Sequence, residues 1–410
     1  MLLEENKQEA DLGLRSKLCL RLWKNISKFF QGKRDDGIEL VSSIKSELLD
    51  GKSLAMAERF SKNIENYVGT INLPVGIAGP VKINGSYANK EYFLPLATLE
   101  GALVASYNRG AKVISLSGGA KTVFHSCAVT RVPAFKLKDS FTAKDFQIWL
   151  ENLHENKVFD DLVASTSNYC KLSSVKFSEL ANILYLELNF STGNAAGQNM
   201  VTLASQAIHD YIMANSPFDI KRSMVESNFS SDKKASYRSL LGVRGVKVSA
   251  EVLIPEAIVN EYLHCAVEDI VEGWQIASNG AALSGMVGNQ AHYANGIAAL
   301  YLACGQDIAC TSESAIGITR FETVHRDDSK YLYASVTMPN IIVGTVGGGT
   351  SLPSAKACLD LLGIDLKDPN SSKELAEIVA ATCLSGEISL LAAITANQFT
   401  QAHFNHARRK

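Results

Sequence analysis

Apolar side chains in the first part of the chain recur with the period of a helix. Between residues 14 and 34 they stand at Leu18, Leu22, Ile26, Phe29 and Phe30, and the same stretch holds seven basic residues and no acidic one. This pattern predicts a basic amphipathic helix, which either docks on the rest of the protein or lies on an anionic membrane surface. Docking is the commoner use of the pattern, and we favour it over peripheral membrane contact.

The spacing of apolar and polar residues changes between residues 132 and 224. Short runs with a period of two, at 134–137 and 183–188, predict strands, and residues 200–214 have the periodicity of an amphipathic helix. Alternation of short strands with helices over about ninety residues is typical of a compact module. We therefore expect an inserted α+β domain over this block.

Two later stretches are unusually rich in small residues. Residues 271–310 are mostly apolar or small with few charges, which predicts one long helix that is closely packed on all sides. The glycine-rich stretch 344–350 follows strand-like runs at 331–336 and 341–343. Glycine at such a turn permits close approach of the backbone to another chain or to a ligand.

Length and charge narrow the class of protein. A chain of 410 residues exceeds the size at which one core usually keeps growing, so we expect two domains. A net charge of −2 predicts no general affinity for nucleic acid. The eight cysteines form no C-x-x-C pair and are expected to be reduced. Without a secretory signal or an uninterrupted apolar stretch of about eighteen residues, the sequence predicts a soluble, cytoplasmic protein with no transmembrane segment.

Glu100 is the first candidate for chemistry, because it stands in a run of small and apolar residues at 96–106. The run predicts that its side chain is buried. A buried, unpaired carboxylate has its charged form disfavoured and holds a proton ready for transfer, whereas a buried carboxylate with a cationic partner is structural. Both interpretations of Glu100 are open on the sequence alone.

Three further features invite a chemical interpretation. Asp232, Lys233 and Lys234 form a polar cluster that is either a solvated loop or a site that orients an ammonium group toward an anion. Asp307 is another acid in an apolar setting, and an approach of Asp307 and Glu100 to Lys233 would separate the roles of the two carboxylates. His403 and His406 lack a third ligand, so we expect no metal site.

Together these runs resemble a known enzyme family. The chain has no phosphate-binding G-x-x-x-x-G-K-[ST] loop and no G-x-G-x-x-G fingerprint. It is similar instead to the catalytic domain of 3-hydroxy-3-methylglutaryl-coenzyme A (HMG-CoA) reductases, over about five-sixths of its length, and more to the eukaryotic and archaeal class than to the other bacterial class. The resemblance is carried, in family order, by residues 65–80, 96–106, 108–110, 130–133, 232–234, 305–307 and 344–350 and by His403.

The resemblance implies an activity and a set of site residues. The family reduces HMG-CoA to mevalonate and free coenzyme A, with two hydrides from NADPH, in the mevalonate pathway of isoprenoid biosynthesis. By position, Lys233 would stabilise the oxyanion, Glu100 would supply a proton, Asp307 would tune both, and His403 would protonate the departing thiolate. Substrate binding would fall to Arg131, Asp232, Lys234 and Asn295, with Glu65 and Arg109 at coenzyme A. Cofactor binding would fall to Ser167, Asn168, Tyr169, Asn194, Gly197, Gln198 and Asn199.

The resemblance also implies an architecture. We expect an α+β fold with a large domain around a long central helix, matched to residues 271–307, and an inserted small ferredoxin-like α/β domain. The boundaries would be an N-terminal helical segment at 1–64, a large HMG-CoA-binding domain at 65–131 and 225–410, and a small nicotinamide-cofactor-binding domain at 132–224. Because sites in the family form between subunits, a homo-oligomer, either a dimer or a tetramer, is implied.

The chain departs from the family at three places. Asn194 stands where the cofactor motif has an aspartate, and Asn168 where an arginine usually meets the 2′-phosphate of NADPH, so NADH is an alternative cofactor. Glu226 stands where the family has a substrate-facing serine. A carboxylate there either points away from the substrate or changes which substrate is bound. These departures favour the alternative function, a diverged paralogue that binds coenzyme A thioesters or protein partners without turning them over.

Overall fold

The structure of the protein, a computed structural model, describes residues 13–31, 33–242 and 244–396. The chain divides into two compact units, Met1–Pro74 and Val75–Lys410, which are described separately. The α-helices are α1 Leu14–Gln31, α2 Gly37–Leu48, α3 Gly51–Ala55, α4 Ala57–Phe60, α5 Leu103–Leu116, α6 Ser140–Glu155, α7 Val158–Thr166, α8 Gln198–Asn215, α9 Tyr237–Leu240, α10 Glu256–Ile258, α11 Val267–Ser284, α12 Tyr293–Ala303, α13 Thr311–Ser314, α14 Pro353–Leu361 and α15 Ser371–Thr395. The strands are β1 Val75–Gly85, β2 Glu91–Ala97, β3 Ala120–Arg131, β4 Ala134–Lys136, β5 Lys171–Leu180, β6 Ile183–Ser191, β7 Arg222–Met224, β8 Gly245–Pro255, β9 Ile318–Arg326 and β10 Ser329–Ile341.

The first unit is helical and has its own small core. The predicted basic helix is present as α1, and it buries Cys19 and Trp23 against residues of α2 and of the segment that follows. The indole N–H of Trp23 donates to the carbonyl of Val68 at 2.7 Å. The predicted apolar face is partly wrong, because Leu18 and Phe29 are exposed. The buried stripe runs instead through positions 16, 19 and 23.

A ten-stranded sheet organises the second unit, in the order β7-β4-β6-β3-β8-β10-β9. In addition, β1 pairs with β2 and β3, and β5 pairs with β6. β3 changes partner along its length, since its residues 121–128 pair with β8 and its residues 129–131 pair with β6. The single strand β3 therefore joins the two halves of the sheet.

The central helix of the second unit is α15, which is buried along nearly its whole length. Close crossings require small residues on both sides. A Cβ on Gly110 of α5 would lie 1.9 Å from the backbone oxygen of Ser385, and a Cβ on Gly386 would lie 2.6 Å from the ring of Tyr107. Glycine at both positions lets α5 and α15 cross at a distance that a methyl group would forbid. By composition α15 is long enough to cross a membrane, but 83% of its most apolar stretch is buried inside the protein, as in the core helix of a soluble protein.

The prediction of one long helix over 271–310 is wrong. Two helices occupy this stretch, α11 and α12, and an irregular segment separates them. Gly285 ends α11 in the left-handed conformation, and Gly288, also left-handed, lies so close to the backbone of Gly317 that a Cβ would meet its oxygen at 2.2 Å. The glycines that suggested tight packing thus break the helix, and the long central helix lies at Ser371–Thr395 instead.

A second hydrophobic cluster lies around β4, β5 and β6 and the helices α6, α7 and α8. Its buried residues fall between Val129 and Ile212, and they are separate from the cluster that surrounds α15. The predicted strands at 134–137 and 183–188 and the predicted helix at 200–214 correspond to β4, β6 and α8. The second unit therefore has a mixed α and β structure with two cores.

Candidate active site

Lys233 and Asp307 form an ion pair between two loops, with 2.9 Å between Nζ and Oδ2. Lys233 lies in the loop between β7 and α9, and Asp307 follows the end of α12. Three residues of the first loop, Asn228, Ser231 and Lys233, have positive φ angles of 68°, 61° and 57°. Such conformations cost side-chain-bearing residues about 1–3 kcal/mol each and persist only where the surroundings enforce them. Interactions outside the loop therefore hold Lys233 in place.

Arg131, at the end of β3, provides one of these interactions. Its Nη1 donates to Asp232 Oδ2 and to Glu226 Oε2, each at 3.0 Å. The other carboxylate oxygen of Glu226 accepts from the backbone N–H of Asn228 at 2.8 Å and from Ser230 Oγ at 2.9 Å. Glu226 therefore turns toward Arg131 and forms a direct ion pair with it.

Arg244 provides the other interactions, from beneath the loop, and its side chain is completely buried. It donates to Glu313 and to Asp232, both at 2.9 Å, and to the carbonyl of Thr130 and the side chain of Gln198. Glu313 in turn accepts from the backbone N–H of Lys233 at 3.1 Å. Sequence analysis missed both Arg244 and Glu313. The only signal in the sequence is an arginine placed directly before the strand β8.

These contacts set the ionisation of the site. The carboxylate of Asp307 accepts a hydrogen bond from the Lys233 ammonium and raises the pKa of Lys233 above its ordinary value. Burial alone would raise the pKa of Asp232, but Arg244 and Arg131 outweigh it, and the pKa lies below its usual value. Burial raises the pKa of Glu313, against the opposing effect of Arg244. Lys233 and Asp232 are therefore firmly charged at neutral pH.

Glu100 lies apart from this cluster within one chain. It is exposed, so the expectation of a buried carboxylate is wrong: the small residues around it form a loop between β2 and α5 rather than a buried element. Its Oε1 accepts from Asn295 Nδ2 at 3.2 Å, in the first turn of α12. The helix rises about 12 Å from Asn295 to its end at Ala303, and Asp307 follows that end. Among the described residues, no hydrogen bond or ion pair joins Glu100 to Lys233 or Asp307.

The two predicted cofactor segments meet at one end of a strand pair. Lys171, just after Ser167, Asn168 and Tyr169, pairs with Ser191, just before the segment 194–199. Asn168 and Tyr169 are exposed. Gly197 has a φ of 80° and precedes the first turn of α8. The register of β5 and β6 thus brings both segments to the same edge, and the carbonyl of Gln198 lies 3.4 Å from Nη2 of Arg131.

In the segment 194–199, the side chains of Asn194 and Gln198 form hydrogen bonds with other parts of the protein. The amide of Asn194 donates to the carbonyl of Asp368 at 2.7 Å and accepts from Ser372 at the start of α15. The side chain of Gln198 binds Arg244. A Cβ on Gly344, in the glycine-rich stretch 344–350, would lie 2.4 Å from the backbone nitrogen of Ala196. The two motifs that drew attention in the sequence therefore pack against each other.

The remaining predicted residues lie elsewhere. Arg109 donates to the hydroxyl and carbonyl of Ser389 at 3.0 Å and 2.6 Å, and burial lowers the pKa of Arg109. Glu65 is exposed in the first unit. Asn199 begins α8. His403, predicted to protonate the thiolate, lies outside the described residues.

Comparisons with known proteins agree with this fold and order of motifs. The family model for Hydroxymethylglutaryl-coenzyme A reductase matches residues 32–408. The chain is 41% identical over 369 residues to 3-hydroxy-3-methylglutaryl-coenzyme A reductase of Aeropyrum pernix, covering 88% of this chain and 85% of the relative. It is 39% identical over 374 residues to the enzyme of the same name from Pyrococcus horikoshii, covering 90% and 89%.

A solved structure has the same fold at lower identity. The class II 3-hydroxy-3-methylglutaryl-CoA reductase from Streptococcus pneumoniae, bound to NADPH in open conformations, is 21% identical with a TM-score of 0.64 and covers 89% of this chain and 98% of that chain. Both archaeal relatives are about twice as similar in sequence. From the family match over most of its length and from these relatives, the chain belongs to the hydroxymethylglutaryl-coenzyme A reductase family.

Proposed function

We propose that the protein reduces HMG-CoA to mevalonate and free coenzyme A, with two molecules of NADPH. The observation that best supports this proposal is the Lys233–Asp307 ion pair, which a buried network fixes in position. The chain that holds it belongs to this family. When bound, NADPH supplies a hydride to the carbonyl carbon of the substrate, twice in succession. The thioester carbon is reduced first to a hemithioacetal, loses coenzyme A to give an aldehyde, and is reduced again to the alcohol.

Lys233 stabilises the negative charge that develops on the carbonyl oxygen as each hydride arrives. Its ammonium is held charged by Asp307 and its backbone is fixed by Glu313, so it needs no reorganisation when the charge forms. Asp307 keeps the ammonium in place and sets its acidity. A proton must also reach the carbonyl oxygen in each reduction, and we assign its delivery to Glu100.

The site that we propose combines two subunits. Glu100 and Asn295 are exposed or half-exposed near the start of α12, while Asp307 follows its end, and among the described residues of one chain no hydrogen bond or ion pair joins the two pairs. In a symmetric dimer a surface on one protomer meets the complementary surface on the other, and two composite sites form. We assign His403 to protonation of the coenzyme A thiolate, because imidazole titrates near neutral pH.

The acyl group and the cofactor are assigned to neighbouring parts of the second unit. Arg131, Asp232 and Lys234 would hold the acyl group, and Glu65 and Arg109 would contact coenzyme A. The residues present fit NADPH in part: Gly197, with a φ of 80°, lies directly before the first turn of α8, whose backbone N–H groups would donate to a phosphate, and exposed Lys171, three residues after Asn168, would serve the 2′-phosphate in place of an arginine. The partly separate core supports assignment of residues 132–224 to a ferredoxin-like cofactor domain. We place the protein in the cytoplasm as a soluble homo-oligomer.

A non-catalytic paralogue is the second candidate, because Asn194 and Glu226 are both engaged by the protein itself. The deciding experiment is oxidation of NADPH, and separately of NADH, by the purified protein with HMG-CoA, followed at the nicotinamide absorbance. Lys233→Ala should abolish oxidation, while Lys356→Ala, at an exposed lysine that pairs with Asp360 and has no assigned role, should retain it. A wild-type protein that binds coenzyme A but oxidises neither cofactor would support the paralogue instead.

A further inference from the structure

Two carboxylates share one nitrogen of Arg131. Both Glu226 and Asp232 lie 3.0 Å from Nη1, while Nε of the same guanidinium is buried and has no hydrogen-bond partner among the described residues. Arg131 is nearly inaccessible to solvent, and its positive charge is thus fully compensated from one side. A second anion arriving at Arg131 would meet a guanidinium that is already neutralised.

The whole cluster is electrically balanced. Its cationic side chains are those of Arg131, Lys233, Lys234 and Arg244, and its carboxylates are those of Glu226, Asp232, Asp307 and Glu313. Asp232, Asp307 and Glu313 each pair with a cation other than Arg131, whereas Arg131 is the one cationic partner of Glu226 within the described part of the chain. Without Glu226 the cluster would carry a net positive charge, which is the state that attracts a carboxylate-bearing substrate.

The loop itself orients the side chain of Glu226. Its second oxygen accepts from the N–H of Asn228 and from the hydroxyl of Ser230, so the carboxylate is oriented at three points. Its side chain is 31% exposed, in contrast to the 7% of Arg131. It is therefore both held against the guanidinium and accessible to displacement from solvent.

We propose that Glu226 is a specificity-determining residue that occupies Arg131 until the carboxylate of the acyl group displaces it. The inference rests on the proposed function, since it takes the acyl group to bind at Arg131. An internal carboxylate that must be displaced weakens binding of the carboxylate-bearing acyl group but leaves the binding of coenzyme A, which carries no such group, unaffected. The chain thus discriminates among acyl groups by how well each competes with its own glutamate.

The test compares Glu226→Gln and Glu226→Ser with the wild type, and uses Glu179→Gln as the matched control at an exposed glutamate that pairs with Lys144. Glutamine keeps an oxygen for Asn228 and Ser230 but removes the charge. Both variants at position 226 should lower the KM for HMG-CoA about tenfold, the effect of one charge interaction near a protein surface. The Kd for coenzyme A, measured by calorimetry, should not change, and the control should match the wild type in both measurements.

An unchanged or higher KM in both variants would overturn the inference. Loss of coenzyme A affinity in the serine variant but not in the glutamine variant would show that Glu226 only shapes the loop, and it too would overturn the inference. If neither the wild type nor the variants oxidise cofactor, the proposed function fails. Calorimetry with free 3-hydroxy-3-methylglutarate then decides separately: tighter binding to Glu226→Gln than to the wild type supports the role of Glu226, and equal binding excludes it.

Discussion

Arg244 is the residue on which the geometry of Lys233 depends most. Its completely buried guanidinium joins Glu313, Asp232, Gln198 and the end of β3. Removing one partner from a buried ionic network leaves the other charges without compensation, which is far more costly than losing an exposed pair. The position of Lys233 is thus set by an arginine that does not reach solvent.

We expect Arg244→Met to lower the free energy of unfolding by about 3–5 kcal/mol, because Glu313 and Asp232 would remain buried or half-buried without their cation. The measurement is the midpoint of urea unfolding at a fixed protein concentration. Lys356→Met, which breaks an exposed pair with Asp360, should cost less than about 0.5 kcal/mol. Equal effects of the two changes would show that the buried network is not a source of stability.

Asp307 offers a test of the ionisation of Lys233. Because the Asp307 carboxylate raises the pKa of Lys233, the ammonium stays charged to a pH above 10.5 and its attraction to Asp307 is lost only as the pH rises further. In Asp307→Asn the titration of Lys233 should move to lower pH. NMR of ¹³C-dimethylated lysines would measure this shift directly, with Lys233→Arg to assign the signal. A titration that stays in place would mean that the two side chains do not pair in solution.

At the level of residues, the sequence raised an approach of Asp307 and Glu100 to Lys233 without deciding it; the structure pairs Asp307 with Lys233 and Glu100 with Asn295, and the network beneath Lys233 was not foreseen. Acids in apolar runs drew attention to Asp307 and Glu100, and Asp307 does lie against Lys233, although its side chain is exposed. The same signal failed for the burial of Glu100, since small residues occur in exposed loops as well as in cores. Arg244 was missed because an arginine beside a glycine is more often an exposed loop residue, and only the tertiary fold buries it.

The crossing of α5 and α15 is the most constrained contact between elements. A methyl group on Gly110 would lie 1.9 Å from a backbone oxygen, which cannot be relieved by a rotamer change. We expect Gly110→Ala to lower the free energy of unfolding by about 1–3 kcal/mol or more. Gly280→Ala, in α11 with no atom near the added methyl, should be neutral or gain up to about 1 kcal/mol, because alanine is the better helix former.

Thermal unfolding of both variants would check this comparison. If Gly110→Ala proved as harmless as Gly280→Ala, the two helices would have to lie further apart than the structure places them.

The contrast between the two glycines also explains why the prediction of one long helix over residues 271–310 failed. Small residues within a helix permit a close crossing, as in α15, but glycines with left-handed φ, such as Gly285 and Gly288, end a helix. Sequence composition does not distinguish the two uses, because the distinction depends on which backbone lies opposite.

At the scale of the whole molecule, the separation of Glu100 from Lys233 makes a prediction about assembly. If each site takes Glu100 from one subunit and Lys233 from the other, a dimer of Glu100→Ala with Lys233→Ala chains contains one intact site. Refolding or co-expressing the two inactive variants in equal amounts should therefore restore about a quarter of the wild-type activity, since half of the dimers are mixed and half of their sites are intact. No recovery in a mixture shown to contain mixed dimers would place both residues in one subunit's site.

The fold class of the whole molecule could be predicted from the sequence, because the periodicity of strands and helices is a local property of the chain. The strands β4 and β6 and the helix α8 were expected from their spacing alone, whereas the change of partner along β3 and the position of α15 depend on pairing between distant segments.

The burial of α15 has a consequence for synthesis. All ten strands precede this helix in the chain, so they leave the ribosome before the element that covers their apolar faces. Until residues 371–395 arrive, the nascent chain displays a surface that chaperones recognise, and the helix itself has the composition that membrane-insertion machinery selects. A stop codon or stalled ribosome before this helix would produce an aggregation-prone fragment, rather than a shortened enzyme with partial activity.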